Sequence, residues 1–242
     1  MGMLDDRVIA ITGAGSGLGR AYAMASAAAG ALLVLGDLDG DSLEETARII
    51  RARGGEVSTV VGDIVDTEIC AELVATALRR HGRLDGFVAN AGVLEPGLTP
   101  GRSTAALRRL VAVNVTGVMQ SVGAAIEAML QTGSGSIVTV VSGSMLGLPR
   151  PAHYGGPKGA VLGLTYGWAV ELEARADPAG QRAEGVGAVL HDLFALAHAL
   201  GDAQLVGVPA APHCGGAFHL AGEVVGDALV GNRLVEAADD RI

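Results

Sequence analysis

Tyr154 and Lys158 stand four residues apart, a spacing that puts both side chains on one face of a helix. A phenol with a pKa of about 10 is a poor base at neutral pH, but an adjacent ammonium stabilises phenolate and draws it toward the working range. The chemistry on offer is acid–base catalysis. An ordinary surface pair has the same spacing, so the weight of this one depends on what else the chain carries.

The turn Thr12-Gly13-Ala14-Gly15-Ser16-Gly17-Leu18-Gly19 lies between an apolar run and an alanine-rich, proline-free stretch. After a strand and before a helix, such glycines let backbone approach a pyrophosphate held at the helix N-terminus. Asp37 comes eighteen residues after Gly19. There a carboxylate would accept from both hydroxyls of an adenosine ribose and repel a 2′-phosphate; a solvated aspartate ending a strand is the alternative. No Arg or Lys follows until Arg48 and Ser16 is not basic, so the expected cofactor is NAD and not NADP. Ser142 ends the fifth predicted strand, at the carboxyl edge where open α/β sheets bind ligands, and its hydroxyl could hold a substrate oxygen. Asn114, amid Val111, Val113 and Val115, is either a helix-surface amide or a buried one that needs partners.

The elements that must position these residues alternate. Apolar, β-prone runs predict strands over 7–12, 31–36, 56–61, 84–90 and 136–142. Helices are predicted over 18–29, 41–53, 67–81, 103–131 and 152–175. The second would be capped by Asp41 or Ser42 with Glu44 and Glu45 in its first turn, and the last would tolerate Pro157 near its start. Nearly all-apolar strands separated by helices imply a parallel sheet covered on both faces. Beyond Arg175 the pattern weakens to a polar turn over 177–185, a sixth strand over 186–190, a partial helix over 193–200 and a last strand over 228–235.

Composition bounds the rest. A chain of 242 residues with 50% hydrophobic and 18% charged residues is neither disordered nor short of core, and 3% aromatic residues disfavour a propeller or an aromatic-cored sandwich. One domain over 1–242 is expected. A net charge of -9 disfavours nucleic acid and acidic lipid as partners. Two cysteines far apart, Cys70 and Cys214, fit a reducing compartment and a cytoplasmic protein. Asp5 and Asp6 stand where a secretory signal would be basic, and the apolar run over 21–36 is broken by Gly30, so no membrane span is expected. His191, His198, His213, Cys214 and His219 lack the tight pairing of a zinc site, and no metal is expected.

In this order the motifs resemble those of the short-chain dehydrogenase/reductase family. The resemblance runs from about Asp6 to Glu173 and rests on the glycine turn, Asp63-Ile64, Asn90-Ala91-Gly92, Asn114, Ser142 and Tyr154-x-x-x-Lys158. It implies a Rossmann-type, doubly wound α/β fold with a mostly parallel sheet of about seven strands. It also implies an oxidoreductase moving hydride between NAD(H) and a secondary alcohol or ketone. Tyr154 would be general acid and base, Lys158 would lower its pKa and hold the nicotinamide ribose, and Ser142 would orient the substrate oxygen. Asn114 would keep a water joining Lys158 to solvent. Gly13, Ser16, Gly17, Leu18, Gly19, Asp37, Asp63, Ile64, Asn90, Ala91 and Gly92 would line the cofactor trough, with Asp63 and Ile64 at the adenine. The resemblance further implies a homo-oligomer, dimer or tetramer, paired through the helices over 103–131 and 152–175. Three departures stand out: Ala89 for a first Asn, Gly-Gly-Pro between Tyr154 and Lys158, and His191-Asp192 where a Pro-Gly pair is expected. The segment 177–242 is atypical, which keeps two alternatives in play: a non-catalytic NAD-binding protein, or an epimerase or dehydratase on the same scaffold.

Overall fold

The computed structural model describes residues 2–146 and 151–176. Five parallel strands form one sheet in the order β3-β2-β1-β4-β5: β1 Val8–Thr12, β2 Leu32–Asp37, β3 Val57–Val61, β4 Gly86–Ala89 and β5 Ser136–Thr139. The chain winds outward from β1 to β3, then crosses back to lay β4 beside β1. That reversal opens a crevice at the carboxyl ends of β1 and β4, where open α/β sheets take ligands.

Strand alternation explains why helices cover both faces. On β1 and β2, Ile9, Ile11, Leu33 and Leu35 point to one side, packing with Tyr22 and Ala23 of α1 (Gly17–Ala28) and Leu43, Ala47 and Ile50 of α2 (Gly40–Ala52). Val8, Ala10 and Val34 point to the other. They meet Leu73 and Val74 of α3 (Thr67–His81), Val118, Val122 and Ala125 of α5 (Val118–Thr132), and Val161 of α6 (Ala152–Ala176). Full burial of each such large apolar side chain stabilises the fold by roughly 1.5–3 kcal/mol. The doubly wound α/β sheet expected from the sequence is present. Its expected sixth and seventh strands, with the turn over 177–185 and the helix over 193–200, lie outside the described residues.

Local chemistry adjusts several boundaries. The α2 cap is Asp39, not Asp41 or Ser42: its carboxylate accepts from the Asp41 and Ser42 amides, at 3.1 Å each. The first-turn acid is therefore Asp41, while Glu44 and Glu45 pair with Arg51 and Arg48 on the helix surface. α3 keeps its expected bounds because Asp66 caps it and Gly82, at φ 72°, ends it. β5 stops at Thr139, since its neighbour β4 ends at Ala89, the last residue in register with it; Ser142 lies three residues beyond the strand.

The helix expected over 103–131 runs from Thr104 to Thr132 with an interruption. A π-helical turn, Ala112–Gly117, joins α4 (Thr104–Val111) to α5. This run is long and apolar enough to cross a membrane, the one such helix among the described residues, and its second half supplies core side chains on the sheet. The run over 21–36 instead divides between α1, a turn at Gly30 and β2. Pro157 falls in the second turn of α6 and not the first, so the carbonyl of His153 loses its intrahelical donor there.

Candidate active site

The glycine turn leaves β1 and enters α1 along backbone that tolerates no side chain at two points. A Cβ on Gly13, at φ 66°, would lie 2.8 Å from the Ala91 Cα, and one on Gly19 would run into the Gly13 carbonyl oxygen. The turn is therefore pressed against the segment that follows β4. Thr12 and Asn90 sew the two together. Thr12 Oγ1 accepts from the Asn90 and Ala91 amides at 3.1 and 3.0 Å, and Asn90 Nδ2 donates to the carbonyls of Thr12 and Gly13, both at 3.0 Å. Ser16, which precedes α1, gives no side-chain cap and the first turn holds no acid, so neither offsets the positive end of the helix.

Asp37 closes the far side. Its Oδ2 accepts from the Gly15 amide at 2.7 Å and its Oδ1 from the Asp39 amide at 3.0 Å, which fixes the carboxylate at the end of β2 beside the turn. Arg20, in the first turn of α1, ties the glycine turn to α2: it donates to Thr46 Oγ1 at 2.9 Å, to the Ser42 carbonyl at 3.2 Å and to the Gly15 carbonyl. These residues form a cradle suited to a dinucleotide, with donors for a pyrophosphate and a carboxylate for a ribose. Gly13, Ser16, Gly17, Leu18 and Gly19 could form its near wall, Asp37 its far side, and Asn90, Ala91 and Gly92 its floor.

Asp63 and Ile64, beyond β3, are engaged in a way the sequence did not reveal. Asp63 Oδ1 accepts from the Val65 amide at 3.1 Å, and its Oδ2 pairs with Arg109 of α4 at 2.7 Å. Ile64 is 8% exposed and packs on Val113. It also lies so close to Gly117 that a Cβ there would be 2.8 Å from its side chain. This pair anchors the β3 loop to the π-helical turn.

That turn carries Asn114, whose side chain is fully buried and satisfied. Oδ1 accepts from the Val93 amide at 3.0 Å and Nδ2 donates to the Val93 carbonyl at 2.8 Å. The amide amid valines is thus a buried one with partners. Gly92 makes room for it, since a Cβ there would sit 2.7 Å from Asn114 Oδ1 and 3.6 Å from Lys158 Nζ.

Lys158 is 3% exposed and donates to the Val140 carbonyl at 2.6 Å, just past the end of β5. Burial pushes its pKa down to about 8. Its Nζ lies 5.8 Å from the centre of the Tyr154 ring, so the pair expected from the spacing does share a face. Ser142 belongs to the loop leading into a 3-10 turn, Gly143–Leu146. Its Oγ accepts from Ser144 Oγ at 3.0 Å and from the Ser144 amide at 3.3 Å, leaving its own proton to be donated outward. The turn packs directly on α6: a Cβ on Gly155 would lie 2.5 Å from the Ser144 carbonyl oxygen. Gly155, the first of the two glycines between Tyr154 and Lys158, thus has a local reason, close approach of the serine turn, whereas a Cβ on Gly156 would meet nothing.

Tyr154, Lys158, Gly92 and Asn114 are therefore brought together at the carboxyl edge, next to the glycine cradle, with the Ser142 turn packed on the same helix. Asp63 and Ile64 lie apart, on the β3 side. Sequence reasoning passed over Arg109, Ser144 and His153. Only Ser144 carried a signal, as a second hydroxyl two residues after Ser142. The histidines at 191, 198, 213 and 219 and Cys214 lie outside the described residues.

The family described as short chain dehydrogenase matches residues 7–176. Levodione reductase from Leifsonia aquatica is 38% identical over 170 residues, 69% of this chain and 64% of that protein. Cis-4-hydroxycyclohexanecarboxylate dehydrogenase from Sinomonas cyclohexanicum is 36% identical over 171 residues, 70% of this chain and 68% of its own. Among solved structures, a short chain dehydrogenase/reductase from Burkholderia phymatum in complex with NAD superposes with a TM-score of 0.70 at 32% identity. That match covers 77% of this chain and 66% of the other. The chain belongs to the short-chain dehydrogenase family. It spans just under two thirds of the length of the levodione reductase.

Proposed function

We propose that the protein is an NAD(H)-dependent oxidoreductase acting on a small secondary alcohol or its ketone. The observation that carries this reading is the placement of the Lys158 ammonium, buried and 5.8 Å from the Tyr154 ring, beside a glycine cradle with a ribose-accepting carboxylate. NAD supplies the hydride acceptor when bound, and its reduced form the donor. The B. phymatum structure in complex with NAD supports that choice, as does Asp37, whose charge opposes a 2′-phosphate.

The chain's own residues manage the proton. Ser142, with Ser144 donating to its oxygen, keeps its proton and donates a hydrogen bond to the substrate oxygen, which fixes that oxygen's position. Tyr154 takes the hydroxyl proton in oxidation and returns it in reduction. The Lys158 cation favours the phenolate and so brings the phenol into the working range. Asn114, whose amide is engaged by Val93, shapes the backbone around Lys158, and a water joining Lys158 to solvent would be held there by main-chain carbonyls of the π-helical turn. Asp63 and Ile64 meet the adenine end.

The substrate lies in the range its relatives' names suggest, small cyclic or secondary alcohols. The test is absorbance at the NADH band with purified protein, NAD and a panel including cis-4-hydroxycyclohexanecarboxylate, and NADH with the matching ketones. Turnover supports the reading. NADH binding without oxidation across the panel favours a binding protein, and product formed without net NADH change favours an epimerase or dehydratase.

We also propose a homo-oligomer paired through α5 and α6. Val115, Met119, Gly163, Leu164, Gly167 and Trp168 line an apolar groove between these helices, and Met119 is 46% exposed. Light scattering reads the assembly; a monomer at micromolar concentration overturns it.

A further inference from the structure

His153, the residue before Tyr154, is 8% exposed, and both of its ring nitrogens are engaged by one distant segment. Nε2 lies 3.1 Å from the Glu95 carbonyl oxygen and Nδ1 lies 3.3 Å from Thr99 Oγ1. The carbonyl can only accept, so Nε2 carries the proton; Nδ1 of the neutral ring then accepts from the Thr99 hydroxyl. The segment it holds is otherwise closed on itself. Arg102 pairs with Glu95 at 2.8 Å and donates to the carbonyls of Leu98 and Pro96. Around this closed segment the surface is open, with Leu98 79% exposed, so packing alone does not seat it.

Position gives the clamp its meaning. The segment 95–102 begins three residues after Gly92, the residue between Asn114 and Lys158, and ends just before α4. Three successive residues at the head of α6 thus do three jobs. His153 holds the segment after β4, Tyr154 faces the reacting atoms on the reading above, and Gly155 admits the Ser142–Ser144 turn. Any movement of the segment relative to Tyr154 changes the width of the substrate side while leaving the glycine cradle as it was.

We propose that His153 is a positioning residue that fastens segment 95–102 to the head of α6 and thereby sets which substrates fit beside Tyr154. It rests on the reading of Tyr154 as the proton-transfer group. It acts through hydrogen bonds to Glu95 and Thr99, not through contact with the substrate.

The test uses the full chain saturated with NADH and three variants: His153→Phe, which keeps the ring and removes both bonds; His153→Gln, whose amide can donate and accept; and Thr99→Val, an exposed change that removes one bond. Trypsin cleavage after Arg102, followed by mass spectrometry, reads the fastening without any substrate, because Arg102 must leave Glu95 to be cut. We expect cleavage at least tenfold faster in His153→Phe, an intermediate rate in Thr99→Val and near-normal resistance in His153→Gln. In NADH-dependent reduction of cyclohexanone and 4-tert-butylcyclohexanone, the ratio of the two kcat/KM values should shift tenfold or more in His153→Phe and return toward normal in His153→Gln, with NADH affinity within twofold of wild type. Wild-type cleavage in both His153→Phe and Thr99→Val overturns the clamp, and an unchanged ratio overturns its role in selection. If wild type reduces neither ketone, the proposed reaction fails, and the cleavage arm still decides the clamp.

Discussion

The two halves of the site are built by opposite means. Most of the cofactor cradle comes from one continuous stretch, β1 through the end of β2, laid on Asn90 and Ala91, and its determinants are backbone: glycines pressed against Ala91 and against each other, and amides fixed by Asp37. The half proposed for proton transfer is assembled from four separated pieces: Gly92, Asn114, Ser142–Ser144 and the head of α6. Its centre is a buried cation whose partner is a carbonyl. The cradle costs the fold little beyond the freedom of its glycines. The other half carries the desolvation of an ammonium, for which burial is the single cause of the shift to about 8. Binding geometry here is cheap and local, whereas proton chemistry is costly and depends on distant packing.

Substitutions can separate the halves. Tyr154→Phe should lower kcat by roughly 10²- to 10⁴-fold, the range of a lost general acid–base group, with NADH affinity unchanged; fluorescence titration beside steady-state rates checks both, and weakened binding would show that the halves are not independent. Lys158→Met should abolish most turnover while relieving the burial cost. The native pKa of Lys158, about 8, lies below the ordinary 10.5, so between those values the unfolded chain binds more protons. The wild type is penalised below pH 8 and recovers as pH rises toward 10.5. Urea unfolding without cofactor should show the stability difference between Lys158→Met and wild type moving in favour of wild type by about 2 to 3 kcal/mol from pH 7 to pH 10. A pH-independent difference would remove the burial argument.

Asp37→Ala touches the cradle alone. The preference for NAD over NADP should narrow by roughly tenfold, about 1.4 kcal/mol, with kcat at saturating cofactor nearly unchanged; relative kcat/KM for the two cofactors reads it. The smallest effect belongs to Asp39→Ala, which removes the α2 cap and should lower stability by about 1 kcal/mol in denaturant unfolding, with rates at saturation unaffected.

The same contrast governs what could be read from sequence. Contiguous devices were legible: the glycine turn, Asp37 and the bounds of α3, whose cap Asp66 and stop Gly82 stand next to it in the chain. Where several residues could serve, as in Asp39-Gly40-Asp41-Ser42, sequence did not show which carboxylate meets the free amides, and Asp39 does. The apolar Val140-Val141 suggested that β5 reached Ser142, but a strand lasts only as long as its neighbour, and β4 ends at Ala89. The interruption of the helix over 103–131 was invisible because no break in the local apolar pattern marks it, and the hold of the Asn114 it carries on Val93 is tertiary. His153 was passed over for a similar reason: its partners lie 54 and 58 residues away. Tyr154 and Lys158 were found because helical spacing made a tertiary relationship local.

The π-helical turn at Ala112–Gly117 carries more than Asn114. A wider turn holds an additional residue within the same rise, and each residue rotates a helix by about 100°. Deleting one residue there would let the rod rewind to regular pitch and swivel α4, with Arg109, away from Asp63, while α5 stayed seated on the sheet. The bulge is thus a phase adjuster between two stretches of one rod, and length at this place is as constrained as residue type.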